Sequence, residues 1–175
     1  YIFIDNYLTS AFGYGEIGGS AAMLVIGAAL AGSSTFLVKP VQERLDKRQI
    51  MRASLVCMLV CALAFALVPV AVLTFVPVFF FYAFFGVSYP TVLGLISGGV
   101  SMDDQGWAMG VATAVFCLAG GVMSLIGGGL MDIDIRLPFY IAAVAALSGL
   151  LVLARSWGTP EMRRLTARPG GNAGP

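Results

Sequence analysis

The sequence predicts an all-α protein, a bundle of helices that crosses a lipid bilayer several times. The composition is 59% hydrophobic and 11% charged, and that charged fraction is about half the value typical of soluble domains. No charged side chain occurs from residue 53 to residue 102. A crossing helix needs about 20 apolar residues, so this stretch is long enough for two of them. Helices are favoured because hydrocarbon offers no partners for backbone polar groups.

The same composition speaks against several classes of function. The chain has no histidine, and its three cysteines, Cys57, Cys61 and Cys117, all lie within apolar segments. We interpret them as small packing residues, with a metal or redox pair as the alternative for Cys57 and Cys61. The sequence contains no metal-ligand cluster and no phosphate-binding glycine loop. We therefore expect no enzyme activity and no cofactor. The basic residues cluster at the ends of apolar spans and do not suggest nucleic-acid binding.

The first two segments are a short apolar stretch and a complete crossing. Residues 1–12 are interpreted as the last part of a crossing helix, closed by a Gly-Tyr-Gly turn at residues 13–15. The stretch begins without a methionine, a basic flank or a signal-peptide pattern, so we expect a fragment whose first helix begins upstream. Residues 17–38 contain no charge and form the first complete span, and residues 39–52 form a basic loop.

The remaining apolar segments predict four more crossings. They span residues 53–73, 75–96, 107–130 and 137–154. Pro69, Thr74 and Pro77 lie where a tight turn would join the first two of these. Residues 158–175 are rich in glycine, proline and arginine, which is typical of a disordered tail. The prediction is therefore five complete spans and one truncated span.

The basic residues predict the orientation of the bundle. Nine of the ten fall on one side if the spans alternate, and only Arg136 falls on the other. These nine are Lys39, Arg44, Lys47, Arg48, Arg52, Arg155, Arg163, Arg164 and Arg168. Cytoplasmic loops carry the excess of Lys and Arg. The loop at residues 39–52 and the carboxy terminus are therefore expected in the cytoplasm, and the bundle in a bacterial inner membrane.

The basic loop contains a pattern that resembles a known family motif. Residues 39–48 read KPVQERLDKR, which is similar to a loop motif of the major facilitator superfamily: glycine, three residues, an acid, a base, any residue, glycine and two bases. The acid, the base and the closing basic pair are matched by Glu43, Arg44, Lys47 and Arg48. Lys39 and Asp46 replace the two glycines, and this resembles the weaker copy of the motif between the family's eighth and ninth helices.

Three later segments resemble the same family in the same order. Residues 86–90 (GVSYP) resemble its tenth helix, residues 106–110 (GWAMG) its eleventh, and residues 137–139 (LPF) the start of its twelfth. The resemblance implies the carboxy-terminal six-helix half of a twelve-helix transporter, with residues 1–12 as the end of helix seven. It also implies that the missing amino-terminal half is a partner of this chain.

The charged loop residues are candidates for gating. In a rocking transporter, charged cytoplasmic loops can pair across the two halves in one conformational state only. We assign this role to Glu43 and Arg44, with Lys47 and Arg48 as further candidates. The alternative is that the basic residues merely anchor the topology.

Asp5 is the acid that the sequence places within the bilayer. It lies seven residues before the outer turn, which is roughly 10 Å at 1.5 Å per residue. Acids at such depth are costly and usually face a wet cavity or a partner. The resemblance implies that helices seven and ten line the central cavity, so Asp5, with Asn6 and Thr9, is expected to bind a proton or a cationic substrate. The alternative is an interfacial Asp5 after an early helix end.

Two tyrosines complete the predicted site. Tyr82 and Tyr89 are seven residues apart and share a helical face, with Phe85 between them. Tyr82 is expected at the depth of Asp5, so that the two meet across one cavity. Aromatic walls with polar tips suit amphipathic or cationic ligands. The alternative is that the aromatic residues face lipid.

Glycines within and just before the segment at residues 107–130 are interpreted as helix-packing residues. Gly106 and Gly110 are four residues apart, and Gly121 follows further along; small residues at such spacing let helices approach closely. Taken together, the sequence predicts a secondary active transporter that moves a small solute, with proton-coupled efflux as the specific expectation. Efflux of the drug type is implied by the overall resemblance to drug:proton antiporters and by the aromatic face. The alternative is a non-transporting membrane scaffold or assembly subunit.

Overall fold

The computed structural model describes residues 2–67 and 71–159, and every regular segment among them is helical. The predicted all-α bundle is therefore confirmed. A π-helical turn, Ser33–Leu37, joins the second and third helices into one continuous rod. The helices are α1 (Ile2–Phe12), α2 (Glu16–Gly32), α3 (Val38–Arg44), α4 (Lys47–Leu67), α5 (Ala71–Gly98), α6 (Gln105–Ile133) and α7 (Leu137–Ser156).

Five helical rods among the described residues are long and apolar enough to cross a membrane. They correspond in order to the five complete spans expected from the sequence, and α1, with 11 residues, is the short segment that precedes them. The protein is thus a multi-pass membrane protein. The five rods are Ile17–Arg44, Lys47–Leu67, Leu73–Gly98, Gln105–Ile133 and Leu137–Ser156.

The basic loop expected at residues 39–52 is much shorter than predicted. Helix α3 continues to Arg44 and α4 begins at Lys47, so only Leu45 and Asp46 separate them. Lys, Arg, Gln and Glu are good helix formers, and their long side chains keep their charges in water while the helix emerges from the bilayer. The backbone N–H of Asp46 donates to Oε1 of Gln49 at 3.2 Å, which caps the start of α4.

The turn between the third and fourth apolar segments also lies elsewhere than predicted. Thr74 and Pro77 belong to α5, and α4 ends at Leu67, while Pro69 lies outside the described residues. A proline within a membrane helix is tolerated because neighbouring groups satisfy the freed carbonyl. Pro90 lies inside the same helix. Most of the predicted tail, residues 160–175, is also outside the described part of the chain.

An aromatic cluster formed by α1, α4 and α7 holds α1 in place. The ring of Tyr7 lies 4.9 Å from that of Phe65 in α4 and 5.3 Å from that of Phe139 in α7. Ile4 and Leu8, on the same face of α1, are buried with Tyr7. Burying these side chains fixes the rotation of α1 about its axis. The polar residues of α1 are thereby turned away from the core.

A close helix crossing joins α2 and α5. The buried Ser33, in the π-helical turn, donates a hydrogen bond from Oγ to the carbonyl of Leu30 at 3.0 Å. The same oxygen fills the space that a β-carbon at Gly86 would occupy. A glycine at residue 86 therefore lets the two helices approach each other closely.

Helix α6 is the least covered of the long helices. None of its most apolar stretch is buried inside the described bundle. Its exposed hydrophobic residues include a stripe at intervals of three and four residues, which lies along one face. The stripe consists of Val111, Val115, Leu118, Val122 and Leu125.

Candidate functional site

Helix α1 has a buried apolar face and a polar face. Ile4, Tyr7 and Leu8 pack in the core, whereas Asn6 and Thr9 are exposed and Asp5 is half-buried. Successive residues of a helix are rotated by about 100° around its axis. Anchoring Ile4 and Tyr7 in the core therefore directs Asp5, Asn6 and Thr9 to a different side of the helix.

The polar face of α1 lines an open cavity of about 570 Å³. Asp5, Asn6 and Thr9, three of the residues predicted for the site, line this cavity together, and their role in binding remains a prediction. The opposite wall is formed by the carboxy-terminal end of α6 and the residues after it. The other lining residues are Ser10, Gly15, Gly128, Met131, Asp132 and Ile135.

The carboxylate of Asp5 is positioned against the second helix. It fills the space beside Gly19, where a β-carbon would meet Oδ1. Gly19 lies near the start of α2. A larger residue at this position would displace the carboxylate, so the glycine is required for the close approach.

Asp132 is a second acid of the polar cavity, and it was not among the residues predicted for the site. It is exposed, near the carboxy-terminal end of α6. The signal in the sequence was its position: Asp132 follows an apolar segment at the end that, with alternating spans, lies on the same side as the end of the segment containing Asp5. The cavity therefore combines two carboxylates with amide and hydroxyl groups, a set that suits a cation rather than an anion.

Tyr82 lies in a different cavity, so the expected meeting of Asp5 and Tyr82 across one space is wrong. The second cavity has a volume of about 340 Å³ and an almost wholly apolar lining. Phe3 and Ile4 line it from α1, because they lie on the other side of the helix from Asp5. The remaining lining includes Cys61, Phe65, Phe81, Met123 and Phe139.

The aromatic face of α5 is present as expected. Phe85 lies between Tyr82 and Tyr89, with ring centroids 6.5 Å and 5.6 Å away. Tyr89 is partly exposed, and its ring lies 5.5 Å from that of Phe116 in α6. Tyr89 therefore helps to join α5 and α6, and it lies outside the described cavities that contain Asp5 and Tyr82.

A comparison with protein families decides the class of the protein. The sequence model of the Major Facilitator Superfamily matches residues 1–174. The chain belongs to this superfamily. Its members are secondary transporters of small solutes rather than enzymes. No curated protein and no solved structure matches the chain.

The loop motif at residues 39–48 spans the break between α3 and α4. Glu43 and Arg44 end α3, and Lys47 and Arg48 begin α4. All four side chains are exposed. Among the described residues, neither Glu43 nor Arg44 forms an ion pair. Both groups are therefore accessible to charges outside this bundle.

The glycines proposed for packing in α6 have open space around them. A β-carbon added at Gly106, Gly110 or Gly121 would meet no atom of the described chain within 4 Å. Close contacts occur instead at other glycines, including Gly127, against which the Phe3 ring lies. The packing assignment for the three glycines remains a prediction, and it requires a surface other than the helices described.

Proposed function

We propose that this transporter exports a small cationic solute in exchange for protons, and that Asp5 binds both in turn. The observation that carries the proposal is the half-buried Asp5 carboxylate in a cavity lined by Asn6, Thr9 and Asp132. Such a site offers negative charge and hydrogen-bond acceptors within the membrane region, where an unpaired acid is costly. A cation or a proton offsets that cost.

Exchange follows if the two cargoes compete for one carboxylate. A proton on Asp5 removes the charge that holds the cation, and a bound cation leaves no charge for the proton. Asn6 and Thr9 supply polar groups that orient the solute. Gly128 lines the cavity and has open space where a β-carbon would lie, so a solute can approach the backbone there.

The transport cycle requires a second bundle, and we propose that the amino-terminal half of the same transporter supplies it. The exposed hydrophobic stripe of α6 and the open space at Gly106, Gly110 and Gly121 support a contact surface on that helix. Glu43 and Arg44, exposed and free of ion pairs within the described chain, are assigned to pair with charges of that half in one state.

The proposed location is a bacterial inner membrane with the carboxy terminus in the cytoplasm. The support is the distribution of basic residues, nine of ten of which fall on one side of the alternating spans. In this orientation the polar cavity lies toward the outer surface. Efflux as the direction is supported by the resemblance to drug:proton antiporters and by the aromatic face of α5.

The test is cation-driven proton movement in proteoliposomes of the purified transporter. Vesicles with an acidic interior are mixed with radiolabelled tetramethylammonium, and tert-butanol serves as a neutral comparator of similar shape. We expect accumulation of the cation above equilibrium, with proton release, and its collapse on addition of a protonophore. Absence of cation-dependent proton movement in sealed vesicles would contradict the proposal and favour a scaffold role.

A further inference from the structure

One aromatic ring lies where the polar and apolar cavities adjoin. Phe3 lines the apolar cavity, and its ring fills the space that a side chain at residue 127 would need. The next residue of α6, Gly128, lines the polar cavity. On α1 the change is equally abrupt, because Phe3 faces the apolar cavity and Asp5 the polar one. The Phe3 ring on Gly127 thus lies at the boundary of the two spaces.

The order of the lining residues is the same on both helices. Along α1, Phe3 lines the apolar cavity, and Asp5 and Thr9 line the polar one. Along α6, Met123 lines the apolar cavity, and Gly128 and Asp132 line the polar one. With alternating spans, α1 and α6 both run toward the outer surface. The acids therefore lie outward of the apolar space, with the Phe3 ring between them.

We propose that Phe3 is a specificity-determining residue, which limits the length of the apolar tail of a cationic solute by closing the apolar cavity to the polar one. This inference rests on the proposed cation site. With the ring on Gly127, a cation held at Asp5 extends its apolar part no further than the ring. Without the ring, the tail enters the 340 Å³ cavity beside Phe65 and Tyr82.

The small size of residue 127 is required for this position of the Phe3 ring. A glycine there leaves room for the flat ring to lie directly on the backbone of α6. Any larger residue would displace Phe3, because interiors have no spare volume at such a contact. The apolar lining gives a tail a favourable environment, and each buried methylene then raises affinity about fourfold.

The experiment measures how affinity depends on tail length. Dissociation constants of alkyltrimethylammonium ions, from methyl to octyl, are determined by calorimetry with the purified transporter in lipid nanodiscs. Wild type, Phe3→Ala and Phe80→Ala are compared. Phe80 is an exposed aromatic residue of α5 that lines neither cavity, so Phe80→Ala controls for loss of a ring and for partition of the ions into lipid.

We expect affinity in wild type and Phe80→Ala to change little with tail length. In Phe3→Ala it should rise by about fourfold per methylene, while the affinity for tetramethylammonium itself stays unchanged. If Phe3→Ala does not purify as a homogeneous protein, Phe3→Leu, which keeps an apolar side chain, replaces it and should give a smaller slope.

Two results would overturn the inference, and they differ in what they say about the proposed function. If affinity depends on tail length equally in wild type and the Phe3 variant, and both bind tetramethylammonium, Phe3 does not separate the two cavities. The cation site would remain in place. If neither wild type nor the variant binds any of the ions, both the role of Phe3 and the cation site are rejected.

Discussion

The carboxylate of Asp5 occupies the space in which a β-carbon on Gly19 would lie. This contact joins the polar face of α1 to the first turns of α2, and it sets where the carboxylate stands in the cavity. Neither residue is conspicuous in the sequence as a partner of the other. Their relationship offers a way to move Asp5 without replacing it.

Gly19→Ala is expected to impair transport without harming the fold. The added methyl group displaces the carboxylate, which is the flexible end of a side chain, so the helices need not separate. Losing one contact between the solute and a charged group lowers affinity roughly tenfold to a hundredfold. An alanine within a helix is favoured by about 1 kcal/mol over glycine. Transport kinetics and thermal unfolding of the purified variant check both expectations.

Gly27→Ala is the matched control for this variant. Gly27 lies in the same helix, and a β-carbon there meets nothing within 4 Å. Gly27→Ala should gain the same helix stability as Gly19→Ala, and it should transport at the wild-type rate. Equal transport by the two alanine variants would show that the position of the Asp5 carboxylate is unimportant.

Asp5→Asn is expected to abolish proton-driven transport. The amide has the shape of the protonated acid but can neither release a proton nor attract a cation by charge. The variant should therefore lose accumulation in proteoliposomes and bind tetramethylammonium more weakly. Asp103→Asn, which neutralises an exposed acid before α6, is the control and should transport normally. Full gradient-driven accumulation by Asp5→Asn would assign the coupling role to a different acid.

Cysteine labelling tests the predicted orientation. In a background without Cys57, Cys61 and Cys117, a cysteine at Leu45 or Thr159, both exposed, should react with an impermeant maleimide only after the membrane is opened. A cysteine at Asp134, in the turn before α7, should react in intact cells. Labelling of residue 45 from outside intact cells would invert the topology and remove the basis for the motif assignment.

Neutralisation of the motif charges tests gating. Glu43→Gln and Arg44→Gln should each slow transport while leaving membrane expression and tetramethylammonium binding unchanged, because the lost contact forms in one state of the cycle only. Lys39→Gln, in the same helix, removes a positive charge outside the acid–base pair and should have little effect. If both motif variants transport at the wild-type rate, these residues serve as topological anchors.

Arrangements that depend on one helix could be predicted from the sequence, whereas the roles of these residues remain predictions. Asp5, Asn6 and Thr9 are at helical spacing, and α1 presents them to one cavity. The tyrosines of α5 share a face for the same reason. The expectation that failed joined two helices: equal depth suggested that Asp5 meets Tyr82, but depth says nothing of the direction in which a side chain points. The α3–α4 break was also misjudged, since charged residues end a span without ending its helix.

The sequence by itself determined that this protein is a multi-pass helical membrane protein of the facilitator class, because the length of its uncharged runs and the motif at residues 39–48 are properties of the chain alone. Only the tertiary structure decided which surfaces meet. Packing of Tyr7 against Phe65 and Phe139 sets the rotation of α1, and that rotation directs Asp5 into the cavity that Asp132 also lines and Phe3 onto Gly127. Such pairings depend on the relative rotation of helices, which the composition and spacing of a single helix do not specify.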